Sequence, residues 1–305
     1  MTTQSFAPAP PRANSPATPA EQVRPRRRRP RRTVFVRSLA LVLVGLVFAV
    51  PLAWMVLASF KSTSAIISET VPLTWRTFIP AEPTIENFLS LFGTYGFGRN
   101  LVNSAAIAVM QVTGAVLAAT IAGYGFARLR FPGRGVLFMI VLAAAFVPME
   151  AILLPEYRLT IALGLGNTWI GVFLPFMFSP FAVFLMRQAF AELPEEMFEA
   201  AKLDGAGHLR TFLRIAVPNV GPAFVTVVLV QFIWAWNAYI WPLLVIQDPV
   251  MQTAQVAAAM YQSVPNHPMT GEMFAASTAV TVPLVVLAIV LQRYYVRGLV
   301  MSGNK

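Results

Sequence analysis

The sequence predicts an all-α membrane protein of six transmembrane helices, and three observations carry that prediction. First, 57% of the 305 residues are hydrophobic and only 12% are charged, against about 25% charged in soluble domains, so lipid must shield most of the chain. Second, six apolar stretches approach the roughly 20 residues a helix needs to cross a hydrocarbon core. They are 38–60, 101–123, 136–154, 168–186, 223–246 and 274–292. Third, six spans put both termini and the even-numbered loops on one side, leaving only Lys61, Arg76, Arg99 and Arg158 of the 23 Lys and Arg residues on the other. Basic residues accumulate on the cytoplasmic side, so both termini are expected in the cytoplasm. Five or seven spans would spoil that segregation.

Taken in order, residues 1–32 are rich in Pro, Ala, Ser, Thr and Arg, with arginines crowded between Arg24 and Arg32. Such a stretch cannot bury enough surface to offset its ordering entropy, and it reads as a disordered basic cytoplasmic tail. It lacks the aromatics or folded reader that nucleic-acid binding wants; its charge orients the chain and attracts anionic head groups. Residues 33–96 hold the first span and an extracytoplasmic segment, around whose end Phe88, Phe92 and Phe97 are expected to pack. Residues 97–293 form the transmembrane core. On its second span Gly114, Ala115, Ala118 and Ala119 leave room for a neighbouring helix. Pro51, Pro148, Pro175, Pro180 and Pro283 fall inside spans, where neighbours must satisfy the freed carbonyls. Residues 294–305 read as a cytoplasmic C-terminal tail.

The loop between the fourth and fifth spans, 193–222, is the most informative segment. Pro194, Glu195 and Glu196 suit a helix start, and Asp204 with Gly205 suits its end. In the helix between them Glu199 can pair with Lys202, three residues on. A second short helix follows, with Leu209, Phe212, Leu213 and Ala216 on one face. Pro218 biases Val217 away from helical geometry, so this helix is expected to end there. On local physics alone the pair could be a plain interfacial hairpin.

The spacing says more. Glu199, Ala200, Ala201, Gly205, Ile215 and Pro218 resemble the EAA loop of bacterial ABC importer permeases, and Asp204, Gly205 and Ala206 match the DGA of its sugar branch. Val217 departs mildly from the usual leucine. FARLRFPGR (126–134), the Asn103–Ser104 pair, Trp236–Asn237 and the C-terminal YYVRGLVMSGNK are similar to the carbohydrate permeases whose best-known member carries maltose. The resemblance spans roughly residues 81–305. It implies the type I ABC importer permease fold in a bacterial plasma (inner) membrane, pairing with a second permease as a heterodimer. It also implies two ATPase subunits, which would bind the ATP and Mg, and an extracytoplasmic solute-binding protein. The first loop helix would then be a coupling helix, with Glu199, Ala200, Ala201, Asp204, Gly205, Ala206 and Pro218 as the ATPase-coupling residues of the loop, and Ala200 and Ala201 small enough for a partner surface to come close. The cargo implied is a di- or oligosaccharide.

Other chemistries find little support. No cysteine is present, which excludes disulfides and thiolate metal sites. His208 and His267 fall on opposite sides of the membrane, and no Walker-A pattern occurs, so neither a cofactor nor an ATPase site is expected in this chain. An ion-coupled secondary transporter would need ionisable groups in its spans, and Glu150 is the one candidate. An ABC permease for a solute such as glycerol phosphate is a further alternative. For the translocation path, Trp236, Asn237, Tyr239 and Trp241 combine aromatic faces with an amide, which suits sugar rings. The same aromatics equally suit membrane-interface anchors.

Overall fold

The computed structural model describes residues 31–69, 72–261 and 271–302; of the tail expected at 1–32, residues 1–30 lie outside them, as does His267, while Arg31 and Arg32 already belong to a helix. Among the described residues the regular structure is helical throughout. In chain order the helices are α1 (Arg31–Ala58), the short α2 (Thr63–Ser68), α3 (Trp75–Phe78) and α4 (Glu86–Leu89), then α5 (Phe97–Arg128), α6 (Arg134–Ala144), α7 (Met149–Ala162) and α8 (Trp169–Phe173). There follow α9 (Pro180–Ala191), α10 (Glu195–Leu203), α11 (His208–Thr211), α12 (Val217–Asn219), α13 (Gly221–Asn237), α14 (Ile240–Val245), α15 (Ala254–Met260) and α16 (Gly271–Ser302). A 3₁₀ turn (Leu174–Phe176) extends α8, and a π-helical turn (Phe212–Ala216) joins α11 to α12.

The chain divides into two units at residues 50 and 51. In the first, every side chain from Ser38 to Val50 is exposed, as an apolar helix facing lipid requires. The second holds the rest.

Among the described residues three helices are continuous, long and apolar enough to cross a membrane: Ser38–Ala58 within α1, Phe97–Arg128, and Gly271–Val290 within α16. Three more stretches reach that length only as bent pairs: α6 with α7 at 95°, Trp169–Phe176 with α9 at 45°, and His208–Asn219 with α13 at 77°. Counting each pair as one span gives six. The expected stretches 136–154 and 168–186 are therefore interrupted at those bends, whereas the third bend falls at Val220, ahead of 223–246, and that stretch is interrupted separately at Ala238–Tyr239, between α13 and α14. Proline explains where. A helical proline clashes with the carbonyl four residues earlier and cannot donate to it. α6 ends at Ala144, four before Pro148; the 3₁₀ turn ends at Phe176, four before Pro180; and α13 stops just short of Ala238, four before Pro242. Pro51 and Pro283, by contrast, lie inside unbroken helices. At the C-terminus α16 runs on to Ser302, so most of the stretch read as a tail continues the helix.

α5 is the spine of the second unit. Its Val112, Val116, Ala119 and Tyr124 form a buried cluster with Ala182, Val183, Met186 and Phe190 of α9 and Val227 of α13. The small residues do what their size suggests: Ala115 and Ala119 are fully buried, and Gly114 lies against the Met177 side chain. At the other end a second cluster gathers Leu91, Phe97, Trp236, Ala254 and Ala275, with Phe88 at its edge. Phe92 stays 45% exposed rather than packed inside. There the Asn100 and Asn103 amides donate to the Gln252 carbonyl at 2.9 and 3.0 Å, and the Ser104 hydroxyl accepts from Ala254 N at 2.8 Å. These bonds pin the turn before α15 to the start of α5.

Lys61 is buried rather than solvated. Its ammonium meets the Glu69 carboxylate at 3.0 Å and donates to the Thr77 carbonyl at 3.2 Å, partners without which a buried charge would be strongly destabilising. Asn87 closes the same knot by donating to the Ser59 and Lys61 carbonyls.

A Cβ at Gly123 would sit 2.7 Å from Met186 Cβ and 2.9 Å from the Arg187 backbone nitrogen, whereas one at Gly125 would meet nothing. In an open helix Gly→Ala is stabilising by about 0.5–1 kcal/mol. Gly125→Ala should follow that sign in a detergent melt. Gly123→Ala should reverse it, overpacking costing about 1–3 kcal/mol; melting shifts of the same sign would show that the crossing is loose.

Candidate functional site

Three interruptions, those before α7, α9 and α14, converge on one cavity of about 610 Å³. Met149 and Glu150 from the start of α7, Phe178, Ser179 and Pro180 from the start of α9, and Asn237, Ala238 and Tyr239 from the α13–α14 junction all line it. Irregular backbone within a membrane is tolerated where it is buried or lines such a space. The wall carries neutral polar groups: Ser104 and Gln111 of α5, Gln231 of α13, and Thr253. Gln231 is 2% exposed, and its Nε2 donates to Ser179 Oγ at 2.7 Å. The same hydroxyl accepts from Ala182 N and caps α9. Glu150 is the one charged side chain among the lining residues, and Phe176, Phe178, Trp234, Tyr239 and Trp241 supply aromatic surface. An apolar wall with a few convergent polar groups is the usual make-up of a small-molecule site.

The four residues read as a translocation path separate. Asn237 and Tyr239 line this cavity and a second one of about 410 Å³ that also borders Gln255, Ser277 and Thr281. The Asn237 amide donates to the Ile233 carbonyl at 2.8 Å and accepts from Gln255 Nε2 at 3.1 Å. Trp241 lines the larger cavity but is 2% exposed, with Nε1 donating to the Gly171 carbonyl. Trp236 lines neither; it stacks on Phe232 and donates to the Val280 carbonyl at 3.0 Å. At 4% exposure it is packed between helices rather than offered as an open platform. Gln111, Ser179 and Gln231 were not singled out in the sequence. The available signal was an amide or hydroxyl inside an apolar run, which must find a partner in the bundle.

At the opposite end of α5 lies the 193–222 loop. α10 starts after Pro194 and ends where the sequence indicates. Gly205 has φ +71°, Ala206 N bonds the Ala201 carbonyl, and Gly205 N bonds the Lys202 carbonyl, the paired bonds of a glycine-terminated helix. Phe198 and Ala201 face inward and are buried; Glu199, Ala200, Lys202, Leu203 and Asp204 face out, while Ala206 is half-buried. Ala201 is thus spent on packing within the chain, and only Ala200 of the pair is open to a partner. Glu199 does not pair with Lys202: among the described residues the ion pairs are Lys61–Glu69 and Arg128–Glu195.

The second loop helix departs further from expectation. It does not stop at Val217 but continues through exposed Pro218 to Asn219, whose side-chain amide donates to the Ile215 carbonyl at 2.7 Å. The π turn inserts an extra residue into the spiral, so the expected apolar face comes apart. Ala216 is buried and Phe212 half-buried, but Leu209 and Leu213 are exposed.

Residues 114–300 match the family model described as binding-protein-dependent transport system inner membrane component. An arabinooligosaccharides transport system permease protein of Halalkalibacterium halodurans is 32% identical over 88% of this chain and 95% of its own. An sn-glycerol-3-phosphate transport system permease protein of Yersinia pestis is 34% identical over 68% of this chain and 74% of its own. Among solved structures, a bacterial ABC transporter involved in the import of the acidic polysaccharide alginate superposes with a TM-score of 0.73 at 20% identity, over 87% of this chain and 97% of that one.

The packing yields a contrast that needs no ligand. Trp236→Phe should destabilise by about 1 kcal/mol through the lost hydrogen bond. Tyr239→Phe, at a 41% exposed side chain, should stay within about 0.5 kcal/mol of wild type. Thermal unfolding of the purified chain in detergent checks both; the reverse order would refute the assignment of Trp236 to packing.

Proposed function

Because the chain belongs to the family of binding-protein-dependent transport system inner membrane components, we propose that it is the permease subunit of an ABC importer and supplies half of the path for a carbohydrate. The observation that carries the reading is the outward face of α10, Glu199, Ala200, Lys202 and Leu203, standing clear of the chain's own packing while Phe198 and Ala201 anchor the helix behind it. A cytoplasmic ATPase pair seats that face, holds the ATP and Mg, and moves α10 as it closes. Glu199, Ala200, Asp204 and Pro218 are open to that partner, Gly205 sets the elbow, and Ala206 completes it. A second permease completes the path as a heterodimer, and an extracytoplasmic binding protein delivers cargo. Both termini then lie in the cytoplasm.

The cavity supports the cargo class. Neutral amides and hydroxyls beside aromatic faces suit a neutral polyol ring. Its lone carboxylate, Glu150, opposes a phosphate, which weighs against the glycerol-phosphate reading that the Yersinia relative raises. Asn237 and Tyr239 are the path residues with open surface; Trp241 contributes an edge.

Reconstituted with its partners and binding protein, the transporter should take up arabinotriose only with ATP and regardless of ion gradients. Uptake that survived without ATP and collapsed with the gradient would overturn the reading in favour of a secondary transporter. Gly205→Val forces a branched side chain into a conformation that costs L-residues roughly 1–2 kcal/mol. Together with Glu199→Ala, it should cut ATP-driven uptake while leaving insertion intact; normal uptake by both would remove α10 from the coupling role.

A further inference from the structure

Resting on the coupling role of α10, we propose that Arg128 is the positioning residue that joins the coupling loop to α5, so that the stroke enters a span distant in sequence rather than only the two spans flanking the loop. Arg128 is the last residue of α5. Its Nε donates to the Phe190 carbonyl at 2.9 Å, one terminal nitrogen reaches the Leu193 carbonyl, and the other meets Glu195 Oε2 at 2.6 Å. The guanidinium also lies over the Phe198 ring, 4.2 Å from its centroid. One planar group thus holds the end of α9, the connecting turn, and both the first turn and the buried face of α10.

The geometry needs arginine. A guanidinium presents five donors in a rigid fork and stacks on an aromatic face, whereas a lysine ammonium is a single point charge that cannot serve three separated acceptors and a ring together. The Arg128 side chain is 12% exposed and that of Glu195 is 62% exposed, so the ion pair alone is partly screened by solvent. The carbonyl bonds and the ring contact do the holding. A second tether acts in parallel: Tyr124, one turn earlier on α5, packs on Phe212 of the second loop helix at 4.9 Å between ring centroids and on Phe190 at 5.5 Å. Both helices of the loop are therefore fastened to the last turns of α5. With α5 closely packed on α9 through Gly123, a displacement of α10 carries this whole block.

Because the chain has no cysteine, paired labels can be placed in it with no background of its own. Leu117→Cys on the exposed face of α5 and Lys202→Cys on α10 would carry spin labels in the assembled complex. With Arg128 present, the inter-label distance should be the same in the nucleotide-free and ATP-trapped states. With Arg128→Lys or Arg128→Ala it should broaden and become nucleotide-dependent, and solute moved per ATP should fall about tenfold, within the range over which coupling residues act, while the complex still co-purifies. A label distance that changes with nucleotide in the presence of Arg128 would overturn the proposal. So would Arg128 variants that keep both the fixed distance and the transport ratio. If Glu199→Ala and Gly205→Val uncouple but the Arg128 variants do not, this inference alone falls. If none of them has an effect, the coupling role of α10 falls with it.

Discussion

The loop-end half of the second unit depends on one close approach, the passage of α9 across α5 at Gly123. A methyl group there would meet the backbone of Arg187 at 2.9 Å, so the two helices touch through main chain rather than through long side chains. In lipid this is a strong form of helix association, because apolar side chains gain little by leaving apolar solvent and close van der Waals contact must supply the attraction. The approach fixes where α9 ends, and with it the Phe190 and Leu193 carbonyls that Arg128 reaches. It also brings Phe190 beside Tyr124 and Phe212. The placing of the 193–222 loop thus follows from the packing of two helices that are themselves well buried.

The other half is organised by what helices cannot do. Pro148, Pro180 and Pro242 each forbid a hydrogen bond to the carbonyl four residues earlier, and each interruption falls at that point or within a residue of it. Freed backbone cannot face lipid, so the broken ends must turn inward. Three broken ends turned inward enclose a space, and polar residues that would be costly against lipid can line it. The Gln231–Ser179 hydrogen bond shows the economy of this arrangement: the hydroxyl that receives the amide of α13 also caps the first turn of α9.

This division explains which features were legible in the sequence. Apolar runs and charge bias announce helices and their approximate number, because both are sums over many residues. Pro194 and Gly205 bounded α10 correctly because their constraints are local. Ala200 and Ala201 are a different matter: both suit a close contact, but one faces outward and the other inward, and that is decided by Phe198 lying under the Arg128 guanidinium from a helix some 70 residues earlier. Trp236 was ambiguous for the same reason, since its partner carbonyl at Val280 belongs to the last helix. The burial of Lys61 is likewise set by its surroundings, Glu69 and the carbonyls around Thr77 enclosing it. The π turn at Phe212–Ala216 left no periodic trace, because inserting one residue destroys the face by which a short helix is recognised.

The two halves have complementary mechanical properties. At the loop end, helix backbones cross in direct contact and a guanidinium bridges three segments, so relative movement there would break several interactions at once. At the interruptions the helical hydrogen bonds are already absent, so a change of angle between α6 and α7 or between α13 and α14 breaks little. A displacement entering through α10 would therefore pass along α5 and α9 with small loss and be taken up where resistance is lowest. Those points are Ala145–Pro148, Met177–Ser179 and Ala238–Tyr239, three interruptions whose flanking residues line the 610 Å³ cavity. A rigid end joined to a hinged one is what reshaping a cavity from a distance requires, and three prolines mark the hinges while one glycine permits the close crossing behind the rigid end.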